Sequence, residues 1–336
     1  MSQISVNDIS SLDGKSGPVI SGITTVSSTG YMMIPAGPTE YRGGRGRGLF
    51  GGHVLARNTI DYITIATTGN ASDFGDLTSE RRFPGALASS TRGVFGASLS
   101  DNVIDYVTIS STGNAFDFGD RTVTGFSAHG LSDNTRGIFA GGYAPGVIYK
   151  KEIDFITIAS KGNASSFGDL LIESIHNATG ASPTRGVFMG AGTVIDNTNT
   201  ISYITIQTTG DAQDFGDLTA PRDEAAGVSS QTRALVAGGD SPANASITDR
   251  IEYITIASLG DAIDFGDLTD ARSRLGGCSN SIRGVFSNGK ITEPSTRTNI
   301  IDYVTIASLG NAVDFGDSTL VTEERSGLSD AHGGLG

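Results

Sequence analysis

The sequence predicts an all-β protein, a six-bladed β-propeller with four-stranded antiparallel blades. One pattern of residues, first seen at Ile60–Asp76, occurs six times, and successive copies start 44, 49, 48, 50 and 50 residues apart. A repeat of this length is typical of a propeller blade. Glycine makes up 47 of the 336 residues, which suits short strands joined by tight turns. No repeat contains a useful stretch with the helical period of about 3.6 residues, which excludes a helical solenoid. The other copies are Ile104–Asp120, Ile153–Asp169, Ile201–Asp217, Ile251–Asp267 and Ile301–Asp317.

Residues 1–44 precede the repeats and are predicted to form an N-terminal arm that contains a β-hairpin. Ile23–Gly30 echoes Tyr106–Gly113, but the chain then departs from the repeat. Terminal units of repeat proteins are commonly atypical. We expect this arm to attach the protein to a partner and residues 45–336 to form the propeller. The candidate attachment residues are Tyr31, Met32, Met33, Arg42 and Arg45.

Each repeat divides into four predicted strands. A glycine-rich strand such as Arg92–Gly96 comes first, and after a loop of variable length the second strand reads Ile-Asp-Tyr-Ile-Thr-Ile. A tight Gly-Asn or Gly-Asp turn leads to a third strand that ends in Asp-Phe-Gly-Asp. A stretch with Arg and small residues leads to the next repeat. Ile60 and Tyr62 point to one face of the second strand and Ile63 and Ile65 to the other, so both faces are mostly apolar, as in a blade covered on both sides.

The sequence also predicts how the ring closes. The repeats begin at the glycine-rich strand, and Glu324–Asp330 resembles the segment that elsewhere precedes this strand. This C-terminal segment is therefore expected to supply the missing strand of the first blade, which removes an exposed seam.

The repeated residues resemble kelch-type repeats. The matches are twin glycines, a tyrosine on the following strand and an aromatic residue about a dozen positions later, where this chain has Phe and kelch repeats usually have Trp. The twin glycines are Gly51-Gly52, Gly141-Gly142 and Gly238-Gly239; the tyrosines are Tyr62, Tyr106, Tyr203, Tyr253 and Tyr303; and the phenylalanines are Phe74, Phe118, Phe167, Phe215, Phe265 and Phe315.

The full sequence of the repeat is similar to repeats in virion proteins of tailed phages. In addition, Ser28–Gly37 is similar to a β-rich motif of phage fibre and tail proteins. The resemblance covers about residues 20–330. It implies a non-catalytic structural virion protein, a tail, fibre or other exterior appendage component that presents a propeller for protein or receptor binding. Its localisation would be the virion, after synthesis in the host cytoplasm.

The amino-acid composition of the chain limits the classes of partner that it can bind. The net charge of −13 and the pI of about 4.6 argue against a nucleic-acid partner, because phosphate contacts need a basic face. The basic cluster around Arg42, Arg45 and Arg47 is compatible with an RGG-like RNA contact or with a plain lead-in to the first strand. Cys278, the single cysteine, cannot form an intrachain disulfide. The start of the chain lacks the pattern of a signal peptide, and no apolar run is long enough for a membrane span.

The recurring Asp-Phe-Gly is interpreted as scaffold, although it resembles the metal loop of kinases, because a catalytic motif has no reason to recur in each blade. Each Phe is expected to fill the space between blades. The second Asp is expected to cap the turn and to form an inter-blade pair with an arginine that starts a glycine-rich strand. These arginines are Arg92, Arg136, Arg185, Arg233 and Arg283.

We expect no catalytic residue, no cofactor and no metal ligand. The histidines His53, His129, His176 and His332 occupy unrelated repeat positions, and Cys278 is interpreted as a small buried filler. The paired carboxylates leave Ca²⁺ binding as an alternative, although their spacing lacks an EF-hand loop.

Loop variation predicts where a partner would bind. In an antiparallel blade alternate connections emerge at the same end, and here the connections at one end are nearly identical while those at the other end differ. We call these the uniform end and the variable end. Variable loops on a rigid ring commonly carry function, although neutral drift would give the same pattern. The candidate partner-binding residues are Tyr143, Tyr149, Lys150, Asp196, Asn197, Asp240, Asn244, Lys290, Glu293 and Arg297.

Two functions follow as expectations. The first is a virion protein that is joined to other virion proteins through its arm, forms a homo-oligomer in the assembly, and contacts a host surface glycan or protein. The alternative is a free-standing, lectin-like propeller that binds carbohydrate.

Overall fold

A computed structural model describes residues 46–335, except residues 56, 98–100, 145, 147, 242–245 and 293–295. All of these residues belong to the second of two compact units, Pro38–Gly336. The predicted arm therefore lies outside the described residues, with its candidates Tyr31, Met32, Met33, Arg42 and Arg45. The loop candidates Asn244 and Glu293 lie outside them as well.

The described residues form six blades of antiparallel strands, which confirms the predicted propeller. Blade 1 contains β1 (Arg47–Gly51), β2 (Thr59–Thr64) and β3 (Ser72–Asp76), and blade 2 contains β4 (Gly85–Ala88), β5 (Arg92–Gly96), β6 (Val103–Thr108) and β7 (Phe116–Asp120). Blade 3 contains β8 (His129–Ser132), β9 (Arg136–Ala144), β10 (Ile148–Thr157) and β11 (Ser165–Asp169), and blade 4 contains β12 (Ala178–Ala181), β13 (Arg185–Gly192), β14 (Asn197–Thr205) and β15 (Gln213–Asp217).

The last two blades carry short additional strands in their loops. Blade 5 contains β16 (Ala226–Ser229), β17 (Arg233–Ala237), β18 (Asp240–Ser241), β19 (Ser246–Ile247), β20 (Arg250–Thr255) and β21 (Ile263–Asp267). Blade 6 contains β22 (Gly276–Ser279), β23 (Arg283–Ser287), β24 (Lys290–Thr292), β25 (Thr296–Thr305) and β26 (Val313–Thr322), and β27 (Ser326–Ser329) follows.

The predicted closure is confirmed, because β27 pairs with β1 and completes blade 1. The innermost strands of the six blades lie side by side around the axis, and β27 contacts both β4 and β22. The innermost strands approach closely where glycine allows it: a Cβ atom on Gly227 would overlap the backbone of Thr179, and one on Gly327 would overlap the backbone of Gly277.

Residues of the repeated sequence pattern form the seam between neighbouring blades. The Gly113 N–H donates to the Phe74 carbonyl (2.8 Å), the Ala115 N–H donates to the Asp76 carbonyl (2.7 Å), and the Asn114 side chain accepts from the Asp76 N–H (3.1 Å). Phe74 is buried at this seam, as expected. Every interface repeats this pattern of hydrogen bonds. The same residues recur in each repeat because each blade meets the same kind of neighbour. The side-chain acceptors at the other interfaces are Asn163, Asp211, Asp261, Asn311 and, between blades 6 and 1, Asn70.

The predicted pairing of the second Asp with the arginine of the glycine-rich strand is wrong. The Arg92 guanidinium lies over the Tyr106 ring, 4.5 Å from its centre, and donates to the Ile158 carbonyl (2.7 Å). The strand registers give the reason: Arg92 lies opposite Thr108 at one end of blade 2, whereas Asp120 lies at the other end.

Buried ion pairs instead join five of the six inter-blade connections to the blade that follows. In the first of them, Arg81 Nη2 lies 2.9 Å from Asp105 Oδ2, and neither side chain is exposed. At the equivalent place between blades 3 and 4, serines replace both partners, at Ser174 and Ser202. The other pairs are Arg121–Asp154, Arg222–Glu252, Arg272–Asp302 and Arg325–Asp61.

Candidate functional site

The uniform end of the central channel is covered by the chain's own residues. After β27 the chain forms a short 3-10 helix, Gly333–Leu335, which is buried. His332 Nε2 lies 2.9 Å from the carbonyl oxygen of Ala88, and burial lowers the pKa of His332. A cavity lies here between the innermost strands and His332. Cys278 lines this cavity; it is buried, as expected, and burial raises the pKa of its thiol.

The variable end carries a ring of equivalent residues at the mouth of the channel, one in the connection that leads to each innermost strand. We call these residues the mouth ring. All have a left-handed backbone, with φ between 43° and 66°. Such a conformation costs a non-glycine residue about 1–3 kcal/mol and is concentrated at functional sites. The mouth ring consists of Phe83, Ser127, His176, Glu224, Arg274 and Glu324.

One half of the mouth ring is a network of ion pairs. Arg274 Nε donates to Glu224 Oε2 (2.8 Å), and Arg274 Nη1 lies 3.4 Å from Glu324 Oε1. Arg82 Nη2 donates to the same Glu324 oxygen (2.7 Å). Burial alone would lower the pKa of Arg274, but the hydrogen bond to Glu224 and the surrounding carboxylates raise it. The guanidinium therefore stays charged.

The other half of the mouth ring contains aromatic rings, and some of its polar atoms lack a hydrogen-bond partner among the described residues. The Phe83 and His176 rings are in contact, with centres 4.4 Å apart. Both ring nitrogens of His176 are buried and have no hydrogen-bond partner among the described residues. Below them, His129 Nε2 accepts from the Asn177 N–H (3.2 Å), and burial lowers the pKa of His129 well below its usual value. A cavity is lined by Phe83, His129, His176 and their neighbours.

Several of the predicted loop residues support the mouth ring. Asn197 Nδ2 donates to Asp223 Oδ1 (2.8 Å), and the backbones of Asp223 and Asp240 exchange hydrogen bonds of 3.0 and 2.9 Å. Arg297 Nε donates to Glu323 Oε1 (3.0 Å). These loop residues therefore hold the residues that directly precede Glu224 and Glu324.

The other predicted partner-binding residues lie apart from the mouth ring or contribute to the packing of the blades. Tyr143 and Tyr149 lie together on the β9–β10 hairpin, 5.5 Å between ring centres, and Tyr143 also contacts Phe126. Lys150 lies on the same hairpin, 3.9 Å from a Glu152 oxygen.

Two further candidates belong to blades 4 and 6. Asp196 is exposed in the β13–β14 turn. Lys290 is buried at the start of β24, where its backbone pairs with that of Ser273.

Sequence reasoning missed the mouth ring itself. Aligning the repeats places Phe83, Ser127 and His176 in one column, but their left-handed backbone is a property of the fold and leaves no residue signature. Glycine, the usual sign of such a conformation, is absent from this column.

A comparison of the sequence with protein-family models found no match, and neither did a comparison with curated proteins. Within the described part of the chain, no helix has the length and apolar character that crossing a membrane requires. Function is therefore inferred from the geometry of the two ends.

Proposed function

We propose that this chain is a non-catalytic binding protein of a tailed-phage virion, part of a tail, fibre or other exterior appendage, and that it contacts its target through the variable end. The observation that carries the binding role is the contrast between the two ends. The uniform end is covered by Gly333–Leu335, whereas the variable end holds the mouth ring and the unequal loops. The virion role is supported by the resemblance of the repeats to phage virion and kelch-type repeats.

Exposed apolar side chains at the loop tips support recognition of another molecule. Ile195 is 95% exposed in the β13–β14 turn and Val194 beside it is 62% exposed, while Ile148 is 52% exposed on the β9–β10 hairpin. Isolated exposed apolar residues are common on proteins. Ile148 lies on the hairpin that also carries Tyr143 and Tyr149. Exposed apolar and aromatic side chains together are the composition expected of a contact surface.

A matched pair of substitutions tests the binding end. We expect fluorescently labelled protein to bind the surface of susceptible bacteria, and Ile195→Ser to weaken this binding at least tenfold, because the loop tip loses apolar contact. The control is Leu259→Ser, since Leu259 is also exposed (58%) but lies in the β20–β21 turn at the uniform end. Cell binding is measured by flow cytometry at a series of protein concentrations. Equal losses in both variants, or a loss in the control alone, would contradict the assignment of the binding end.

Carbohydrate binding is a second candidate, favoured by one observation. Phe126, Tyr143 and Tyr149 form an aromatic cluster at the variable end, with ring centres 5.1 and 5.5 Å apart. Tyrosines present an apolar body and a polar tip, which suits the faces and hydroxyl groups of sugars. In the cell-binding experiment, loss of binding after periodate oxidation of the cells would favour a glycan, and loss after protease treatment would favour a protein.

The virion role is tested on purified particles. Mass spectrometry should detect the full chain in the particles, and a chain that begins at residue 45 should be missing from them, because the arm at residues 1–44 is proposed to bind other virion proteins and to support a homo-oligomer. Particles that contain the shortened chain at the normal level would overturn the attachment role, and particles without the full chain would overturn the virion role.

A further inference from the structure

We propose that His176, Asp223 and Glu224 form a binding site for a divalent cation of the Zn²⁺ or Mn²⁺ type at the mouth of the channel. One ligand atom from each of the three side chains lies within 4.8 Å of the others. The three residues come from two neighbouring inter-blade connections, one before β12 and one before β16. The side-by-side packing of β12 and β16 in blades 4 and 5 therefore brings them together. Because the residues are far apart in sequence, no short sequence motif predicts the site.

The imidazole of His176 is the first observation that points to a ligand. Its side chain is 11% exposed, and both ring nitrogens are buried without a hydrogen-bond partner in the described part of the chain. An unsatisfied buried polar group is costly, by about 1–3 kcal/mol. Nδ1 lies 3.6 Å from Asp223 Oδ2, too far for a hydrogen bond. It is close to the separation of two ligands that share one cation at bonds of about 2.0–2.2 Å.

The two carboxylates are the second observation, because other side chains orient both of them. Asn197 Nδ2 donates to Asp223 Oδ1 (2.8 Å), which leaves Oδ2 as the oxygen nearest His176. Arg274 Nε donates to Glu224 Oε2 (2.8 Å), and the second oxygen of Glu224 remains for another partner. Outer hydrogen bonds of this kind fix ligand geometry in metal sites.

The backbone that carries the three ligands is pinned on both sides. Next to His176, Ile175 exchanges two backbone hydrogen bonds with Gly192 (3.0 and 2.9 Å), and Asn177 Nδ2 donates to the Gly190 carbonyl (2.8 Å). Next to the carboxylates, the Arg274 N–H donates to the Glu224 carbonyl (2.8 Å). A cation would thus meet ligands that are already in place, which reduces the cost of binding.

The ligand set selects the class of cation. One imidazole nitrogen with two carboxylate oxygens suits Zn²⁺ or Mn²⁺, whereas Ca²⁺ and Mg²⁺ favour oxygen ligands throughout. The adjoining cavity leaves room for water to complete the coordination. The Asp-Phe-Gly-Asp turns, which the sequence offered for Ca²⁺, form no comparable three-residue group within the described residues.

A second pair of neighbouring carboxylates in the same protein can be compared with this site. Glu323 and Glu324 occupy the positions equivalent to Asp223 and Glu224, but arginines engage both of them: Arg297 donates to Glu323, and Arg82 donates to Glu324. His53 lies near Glu324, but among the described residues no imidazole joins these two carboxylates in a group with ligand spacing. An acidic pair alone is therefore not the proposed feature. What distinguishes the site is His176, whose ring nitrogens have no hydrogen-bond partner among the described residues and whose Nδ1 faces Asp223 Oδ2.

The test is calorimetric titration of ZnCl₂ and, separately, MnCl₂ into the full chain after treatment with EDTA. We expect one saturable equivalent, and affinity at least tenfold weaker in His176→Gln and in Asp223→Asn. Asn197→Ala keeps all three ligands but frees Asp223, and should weaken binding about 10- to 100-fold. Asp196→Asn removes an exposed neighbouring carboxylate and serves as the control with unchanged affinity.

Thermal unfolding with and without ZnCl₂ provides a second readout. The cation should raise the melting temperature of the unsubstituted chain by mass action, and should raise that of Asp223→Asn less. Absence of saturable binding, or equal affinity in the unsubstituted chain, Asp223→Asn and Asn197→Ala, would overturn the proposal. The proposal does not rest on the virion role, because cell binding and cation binding are measured separately.

Discussion

Replacing Arg272 by serine should lower the free energy of unfolding by about 3–5 kcal/mol, because it leaves the Asp302 carboxylate buried and without its partner. Neither side chain of the pair is exposed. Arg272 Nη1 also donates to the carbonyls of Asn288 and Ile300, both at 2.9 Å, so the substitution removes the donor from three acceptors. Urea denaturation followed by circular dichroism would show the loss as a lower midpoint.

The chain supplies the matched control for this substitution. Since Ser174 and Ser202 occupy the equivalent positions between blades 3 and 4, the double variant Arg272→Ser, Asp302→Ser copies an interface that the fold already tolerates. It should be more stable than the single variant, because no unpaired charge remains. A double variant that is as unstable as the single one would contradict this explanation and would assign the loss to packing and the two carbonyls.

Ending the chain at Arg325 should have an even larger effect, because it removes β27 and opens the ring. Blade 1 would lose the register that pairs Gly48–Gly51 with Ser326–Ser329. Loss of the buried Leu328 alone corresponds to about 2–5 kcal/mol. We expect the melting temperature to fall by at least about 10 °C and the protein to self-associate through the exposed edge of β1. Light scattering coupled to size-exclusion chromatography measures the second effect.

Two controls separate ring closure from the covering of the channel. A chain ending at Asp330 keeps β27 and loses only the segment with Gly333–Leu335. Its melting temperature and its degree of association should match those of the full chain. A synthetic peptide of residues 326–336, added to the chain that ends at Arg325, should restore much of the melting temperature. A shortened chain that melts at the original temperature without the peptide would show that β27 does not close the ring.

The architecture could be predicted from the sequence because the same blade is encoded six times, so each signal is seen in several copies. Six copies of the pattern, the apolar faces around Ile60 and Ile63, and the likeness of Glu324–Asp330 to an innermost strand were enough to specify the blades and the closure. The position of Phe74 between blades also followed, since a buried aromatic residue at the same place in every copy must meet the same surface.

The ion pairs and the mouth ring did not follow from sequence, for physical reasons. Pairing depends on which end of a blade a side chain occupies, and Arg92 and Asp120 lie at opposite ends. The pairing arginine also shifts its place in the repeat, as at Arg121 and Arg325, so no fixed spacing reveals it. The meeting of His176 with Asp223 depends on how blades 4 and 5 pack side by side, which local sequence patterns do not encode.

The hydrogen bonds that join neighbouring blades have a consequence for how such a molecule diversifies. They come mainly from backbone groups of Gly113 and Ala115 and from one short side chain, Asn114, and the same set recurs at every interface. These hydrogen bonds join the β6–β7 turn of the uniform end to β3 and involve no residue of the loops at the variable end. Substitutions in those loops therefore leave this set of joints in place, whereas the buried ion pairs, which differ between blades, restrict the exchange of whole blades.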